Sequence, residues 1–155
     1  MKTKNIKKNK GFALLFAVMI SSIILAIALG VATISYKEVK FSTSAKDTND
    51  AFFAADTGAE CALYYDRIDP ANNAFDPLFS GPMNCNGLSI TLGGSDPTWN
   101  FIVSQLGDNK NGCAIVSVNK SDPNSTSIVS KGYNNGGSNC IATENTVERE
   151  IDLNY

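Results

Sequence analysis

The residues of this chain best suited to chemistry are four cysteines, Cys61, Cys85, Cys113 and Cys140, and the chemistry they suit is pairing. They are even in number, no two form a Cys-x-x-Cys motif, and the 155-residue sequence contains no histidine. Zinc sites draw their ligands from close Cys or Cys/His pairs, so this pattern argues against a metal and for two disulfides made in an oxidising compartment. Three pairings exist; the expected one joins sequence neighbours, Cys61 with Cys85 and Cys113 with Cys140. Loops of this length contribute roughly 3–4 kcal/mol each in the chain-entropy account. Catalysis finds little to work with. Asp56 and Glu60 stand one helical turn apart but have no histidine to join them, and read as solvated carboxylates. The segment Asp108 to Gly112, DNKNG, places Lys110 where a calcium loop needs an oxygen ligand, so it reads as a turn. Gly93-Gly94 and Gly136-Gly137 open no helix and form no phosphate loop. No catalytic residue, metal or cofactor is expected.

The elements that position these residues begin with an apolar run, FALLFAVMISSIILAIALGVATI, from Phe12 to Ile34. As a helix rising ~1.5 Å per residue it is ~34 Å long, enough to cross a hydrocarbon core of about 30 Å. Lys2, Lys4, Lys7, Lys8 and Lys10 precede it without any acid, which by the positive-inside bias keeps the N-terminus cytoplasmic and exports the rest. The formal net charge of -2 hides this asymmetry: beyond Gly11 there remain eight basic against 15 acidic side chains. So acidic a surface argues against nucleic acid as a partner of the exported part.

No turn signal ends the run, and the helix is expected to continue to about Asp66, with Pro70 as its stop. Phe41, Ala45, Thr48, Phe52, Ala55, Ala59 and Ala62 recur at alternating spacings of four and three, which predicts the packed stripe of its second half. Residues 69–97 are rich in Pro and Gly and read as loop with one strand, Leu88 to Leu92. From Trp99 the pattern turns to strands: Trp99 to Leu106, Cys113 to Asn119, Thr126 to Tyr133 and Asn145 to Tyr155. The turns GDNKNG, KSDPNS and NNGGSN between them tolerate tight backbone. In the last strand Val147, Arg149, Ile151 and Leu153 alternate with polar residues, so the sheet is expected to be antiparallel and covered on one face. The fold class is α+β, a long N-terminal helix packed on a C-terminal antiparallel sheet, and Trp99 is a core aromatic in it. The domain reading is 1–11 leader, 12–35 membrane half of the helix, and 36–155 exported domain.

The junction KKNKGFALLFAVMISSIILAIALG, residues 7–30, resembles the type III signal of type IV prepilins and pseudopilins. The resemblance implies that a membrane-embedded prepilin peptidase cuts between Gly11 and Phe12 and methylates the new N-terminus at Phe12. It also implies a pilin-like architecture, and assembly with other pilins or pseudopilins through the N-terminal helix, driven by a platform protein and an ATPase. The segment AFFAADTGAECAL, Ala51 to Leu63, resembles a stretch of PilX-type minor pilins. The implied course is from single-pass inner-membrane protein to extracellular or periplasmic filament.

One position departs from the family. Major pilins carry a glutamate at the fifth mature residue, where it pairs with a neighbour's N-terminal amine; counted from Phe12, that residue is Phe16. An unpaired buried carboxylate is costly, and its absence implies that this subunit makes no such pair, which points to a minor or tip-associated role. Rival readings stay open: a pilus-tip adhesin or DNA-uptake subunit, an uncleaved signal-anchored domain, and an ordinary secretory leader cut after Ala26-Ile27-Ala28 to start at Leu29. An exported enzyme is disfavoured by the lack of any nucleophile-base pairing.

Overall fold

In the computed structural model the described residues are 10–67, 73–78 and 83–155. The leader residues 1–9, the expected helix stop at Pro70 and parts of the 69–97 loop lie outside them. One helix, α1 (Lys10–Arg67), is followed by seven strands: β1 (Met83–Cys85), β2 (Leu88–Ile90), β3 (Gly93–Ser95), β4 (Thr98–Leu106), β5 (Gly112–Asp122), β6 (Ser125–Tyr133) and β7 (Glu148–Asn154). The chain divides between Thr43 and Ser44 into two compact units. The described part of the first unit is helix alone.

In the second unit β1 and β2 form a hairpin, and the other strands make one antiparallel sheet ordered β3-β4-β5-β6-β7. Its β4–β5 and β5–β6 connections are short polar turns read from the sequence, since two antiparallel strands need only a few residues between them, whereas β6 and β7 are joined by a longer loop, Asn134 to Val147. Asn119 accepts from the Ser121 N–H at 2.8 Å and Asp122 from the Asn124 N–H at 2.9 Å, which shapes the β5–β6 turn. The Gly107 to Lys110 turn is closed by the Lys110 N–H at 3.1 Å from the Gly107 carbonyl. The region read as loop with one strand holds three short strands, because Met83–Cys85 and Gly93–Ser95 are too brief to show a period.

The second half of α1 packs on the inner face of the sheet by only part of the expected stripe: Ala55, Ala59 and Ala62 belong to it, and Phe41 and Phe52 do not. Phe41 is 79% exposed and Phe52 47%, whereas Ala51, Ala54, Ala55, Ala59 and Ala62 are buried. Close approach is the cause. A Cβ on Gly132 of β6 would collide with the backbone of Ala51 and Ala55, and one on Gly58 would lie 2.5 Å from Ser130 Oγ and 2.8 Å from Val116 Cγ2. With glycine on each side the helix backbone nearly touches the sheet, so the contact stripe must be small and Phe52 turns outward. The buried Ser130 hydroxyl donates to the Ala55 carbonyl at 2.7 Å, pinning helix to sheet where no side chain intervenes. Beside this contact the core widens to Phe75, Met83, Trp99, Phe101, Val103, Val116, Val118 and Ile128. Phe75 packs edge-on to Trp99 at 6.0 Å and stacks on Phe101 at 6.2 Å.

Candidate functional site

The processing junction and the apolar run lie on the first unit. Gly11 and Phe12 fall in the opening turn of α1, and Phe12, like Phe16, is exposed. All the large apolar residues from Phe12 to Ile34 are exposed as well. The hydroxyls in this stretch need no water: Ser21 donates to Ala17 O at 2.7 Å, Ser22 to Met19 O at 2.8 Å and Thr33 to Leu29 O at 2.9 Å. A helix whose backbone and hydroxyls are internally satisfied and whose surface is hydrocarbon is suited to a bilayer or to an equally apolar protein surface. Among the described residues it is the one helix long and apolar enough to span a membrane, and it fits single-pass anchoring near the N-terminus.

The chain matches no family model, no curated protein and no solved structure. What it does must therefore be argued from its own residues.

Two disulfides fix the second unit. Cys61 of α1 is bonded to Cys85 of β1, with Cα atoms 5.9 Å apart, and Cys113 of β5 to Cys140 of the β6–β7 loop, with Cα atoms 5.6 Å apart. Near the first, Tyr65 reaches the same hairpin: its hydroxyl donates to Asn84 O at 3.3 Å and accepts from the Asn84 N–H at 2.9 Å. The second anchors a long loop that Asn111 also holds, its carbonyl accepting from Gly136 and Gly137. We expect Cys113→Ser with Cys140→Ser to lower stability by about 3 kcal/mol in urea denaturation, with protease cutting first between Asn134 and Val147.

The helix end carries a cluster that sequence reasoning missed. Asp66, whose side chain is 6% exposed, forms an ion pair with Lys120 of β5. It also accepts from the Tyr155 hydroxyl at 2.7 Å and from Asn73 Nδ2 at 3.2 Å. Arg67 lies 4.1 Å above the Tyr155 ring. Tyr155 stands 89 residues from Asp66, and no local pattern marks such a pair. Burial, then the hydrogen bond to Asp66, pushes the Tyr155 hydroxyl up to about 12. Because its folded value lies above the unfolded value of about 10, the stabilisation is complete below pH ~10 and is lost as the pH rises through 12. Tyr155→Phe is expected to flatten the fall in melting temperature between pH 10 and 12; an unchanged slope would remove this role.

Next to the cluster an open cleft of about 810 Å³ runs between the outward face of α1 and the end of β7, lined by Glu60, Leu63, Tyr64, Arg67, Leu153, Asn154 and Tyr155. Its walls are mostly apolar. Of the carboxylates set aside in the sequence, Glu60 is on its rim and Asp56 is half-buried one turn before it. Along β7 the exposed Glu148 and Glu150 share Lys131, at 3.5 and 3.2 Å, and they hold its ammonium above the usual lysine range, Glu150 chiefly. Charges on an edge strand discourage indiscriminate strand pairing.

Proposed function

We propose that the chain is a structural subunit, a minor pilin or pseudopilin of a type IV pilus or type II secretion-like pseudopilus, cut after Gly11 by a prepilin peptidase. The observation that carries the reading is the junction itself: a basic leader ending at Gly11-Phe12, then an exposed apolar helix with every hydroxyl satisfied along its own backbone. Such a surface serves twice. In the bilayer it stores the subunit with its N-terminus inside, and in a filament it packs against helices of neighbouring subunits. Phe16 in place of a carboxylate supports the minor role, since it leaves no charge to pair at that depth. Extraction would draw on a separate platform protein and ATPase, and the subunit itself does no catalysis.

Mass measurement of the N-terminal peptide tests this. The expected product starts at N-methylated Phe12, and Gly11→Val is expected to leave the leader attached and the chain in the membrane. A mature start at Leu29, or an intact leader in the wild-type exported form, overturns the reading.

A further inference from the structure

We propose that the free edge of β7 takes an extended segment of another protein as a sixth strand, and that this segment alternates basic with apolar residues. The inference goes beyond the filament reading and stands whether or not the chain is cut at Gly11. Strand pairing shows which backbone groups are available. Thr126 and Tyr155 exchange both N–H···O bonds, at 2.8 and 3.2 Å, and the Asn134 N–H donates to the Val147 carbonyl at 3.2 Å. Bonded pairs recur at every second residue of an antiparallel ladder, so Arg149, Ile151 and Leu153, opposite Gly132, Ser130 and Ile128, turn their N–H and C=O groups toward β6. Glu148, Glu150, Asp152 and Asn154 turn theirs away from it. Among the described residues β7 ends the sheet, and no other group receives them.

The two sides of this edge differ in chemistry, because successive side chains of a strand point to opposite faces. On the outer face Glu148, Glu150 and Asp152 stand with Lys131, which reaches Glu148 and Glu150, while Asp152 has no ion-pair partner among the described residues. Three carboxylates against one ammonium leave that side acidic. On the side toward α1, Ile151 and Leu153 are half-buried, and Leu153 shares the apolar cleft with Leu63 and Tyr64. The charges there, Arg67 and Arg149 with Asp56 and Glu60, are two of each sign and select neither. A strand added to β7 sets alternate side chains against these two sides. The segment that fits therefore carries Lys or Arg at one set of positions and Val, Ile or Leu at the other. Main-chain bonds supply its affinity, and the edge carboxylates, which repel most strands, choose its sequence.

The test is residue-by-residue amide hydrogen exchange of the full-length chain in phosphatidylcholine nanodiscs. The probe is an acetylated, amidated peptide of about eight residues that alternates lysine with valine, long enough to run along β7. In the free protein the amides of Glu150 and Asp152 should exchange fast and those of Ile151 and Leu153 slowly. Saturating peptide should slow Glu150 and Asp152 by about tenfold or more. Glu150→Lys with Asp152→Lys should weaken peptide binding by about tenfold and admit a glutamate-valine peptide instead, because like charges across a strand pair repel. Methylating the peptide's lysine amides should abolish binding of an antiparallel segment, and methylating its valine amides that of a parallel one. Unchanged exchange at Glu150 and Asp152, binding that survives both methylations, or equal binding of the two peptides to wild type overturns the proposal. Slowing of the same amides without peptide, rising with protein concentration, makes a second copy the occupant and overturns it too.

Discussion

Gly132→Val is expected to abolish the cooperative thermal transition of the Ser44–Tyr155 unit, and Gly132→Ala to cost about 3 kcal/mol, the upper part of the range for overpacked cores. The reason lies in what a side chain there would strike. Its Cβ would meet the backbone nitrogen of Ala55 and the carbonyl oxygen of Ala51, atoms that cannot rotate aside as a side-chain tip does. Relief requires the whole second half of α1 to lift from the sheet, which would stretch the Ser130 bond to Ala55 and open the buried alanine stripe. Gly58→Ala makes an informative companion. Helix propensity favours alanine there by about 1 kcal/mol, but the new methyl would crowd Ser130 Oγ, Val116 Cγ2 and Ala114 Cβ. These are side-chain atoms that yield in part, so a net loss of about 1–2 kcal/mol is expected. Near-UV dichroism from the buried Trp99, followed during urea denaturation, reads both variants. A stable Gly132→Val would show that the helix and sheet are not in close contact at this point.

The same contact explains what was legible in the sequence and what was not. The helix and the four longer strands follow from periodicity and turn chemistry, because each is a local signal sustained over many residues. The α+β arrangement follows from an amphipathic segment with no other cover for its sheet. The periodicity found Ala55, Ala59 and Ala62 but wrongly added Phe52, since a phenylalanine outranks Ala51 and Ala54 on any hydrophobicity scale. Distance between backbones decided it, and the signal for that distance was glycine: Gly58 inside a helix and Gly132 inside a strand, each disfavoured unless something approaches closely. The short strands β1 and β3 carry no period, and Gly93–Ser95 consists of residues poor in strand propensity; pairing with β4 makes it a strand. The Asp66 cluster was invisible for a further reason. Its members are brought together by the closure of the fold, and a lone Asp, Lys and Tyr in sequence look like surface residues.

Asp66→Ala is expected to destabilise the unit by about 3 kcal/mol, and here the loss comes from what is left behind rather than from what is removed. Breaking a buried ion pair by deleting one partner costs about 3–5 kcal/mol. Lys120 keeps a side-chain exposure of 23%, so its ammonium can turn toward water, which places the effect at the lower end. Tyr155 retains a hydroxyl aimed at an apolar gap, and Asn73 loses its 3.2 Å bond to the carboxylate. The loss stops there. Asn73 Nδ2 keeps its 3.2 Å bond to the Asp66 backbone carbonyl, and Asn73 Oδ1 still accepts from the Phe75 N–H at 2.8 Å, so the ring that packs against Trp99 and Phe101 stays seated. Trp99 emission should therefore hold its position until the sheet unfolds. Asp66→Asn is expected to do little better, because its amide removes the negative charge and puts a donor in place of one of the two oxygens from which Lys120 and Tyr155 each need an acceptor. Tyr155→Phe, which removes one donor from an acceptor that keeps others, should cost only about 1 kcal/mol, whereas Lys120→Met leaves the buried Asp66 carboxylate without its cation and should cost about 3 kcal/mol or more. In a double-mutant cycle Asp66→Asn and Lys120→Met should couple by more than about 1 kcal/mol. Additive losses would mean that the cluster is a set of independent surface contacts, and that the helix end is held by the Cys61–Cys85 bond and Tyr65 without it.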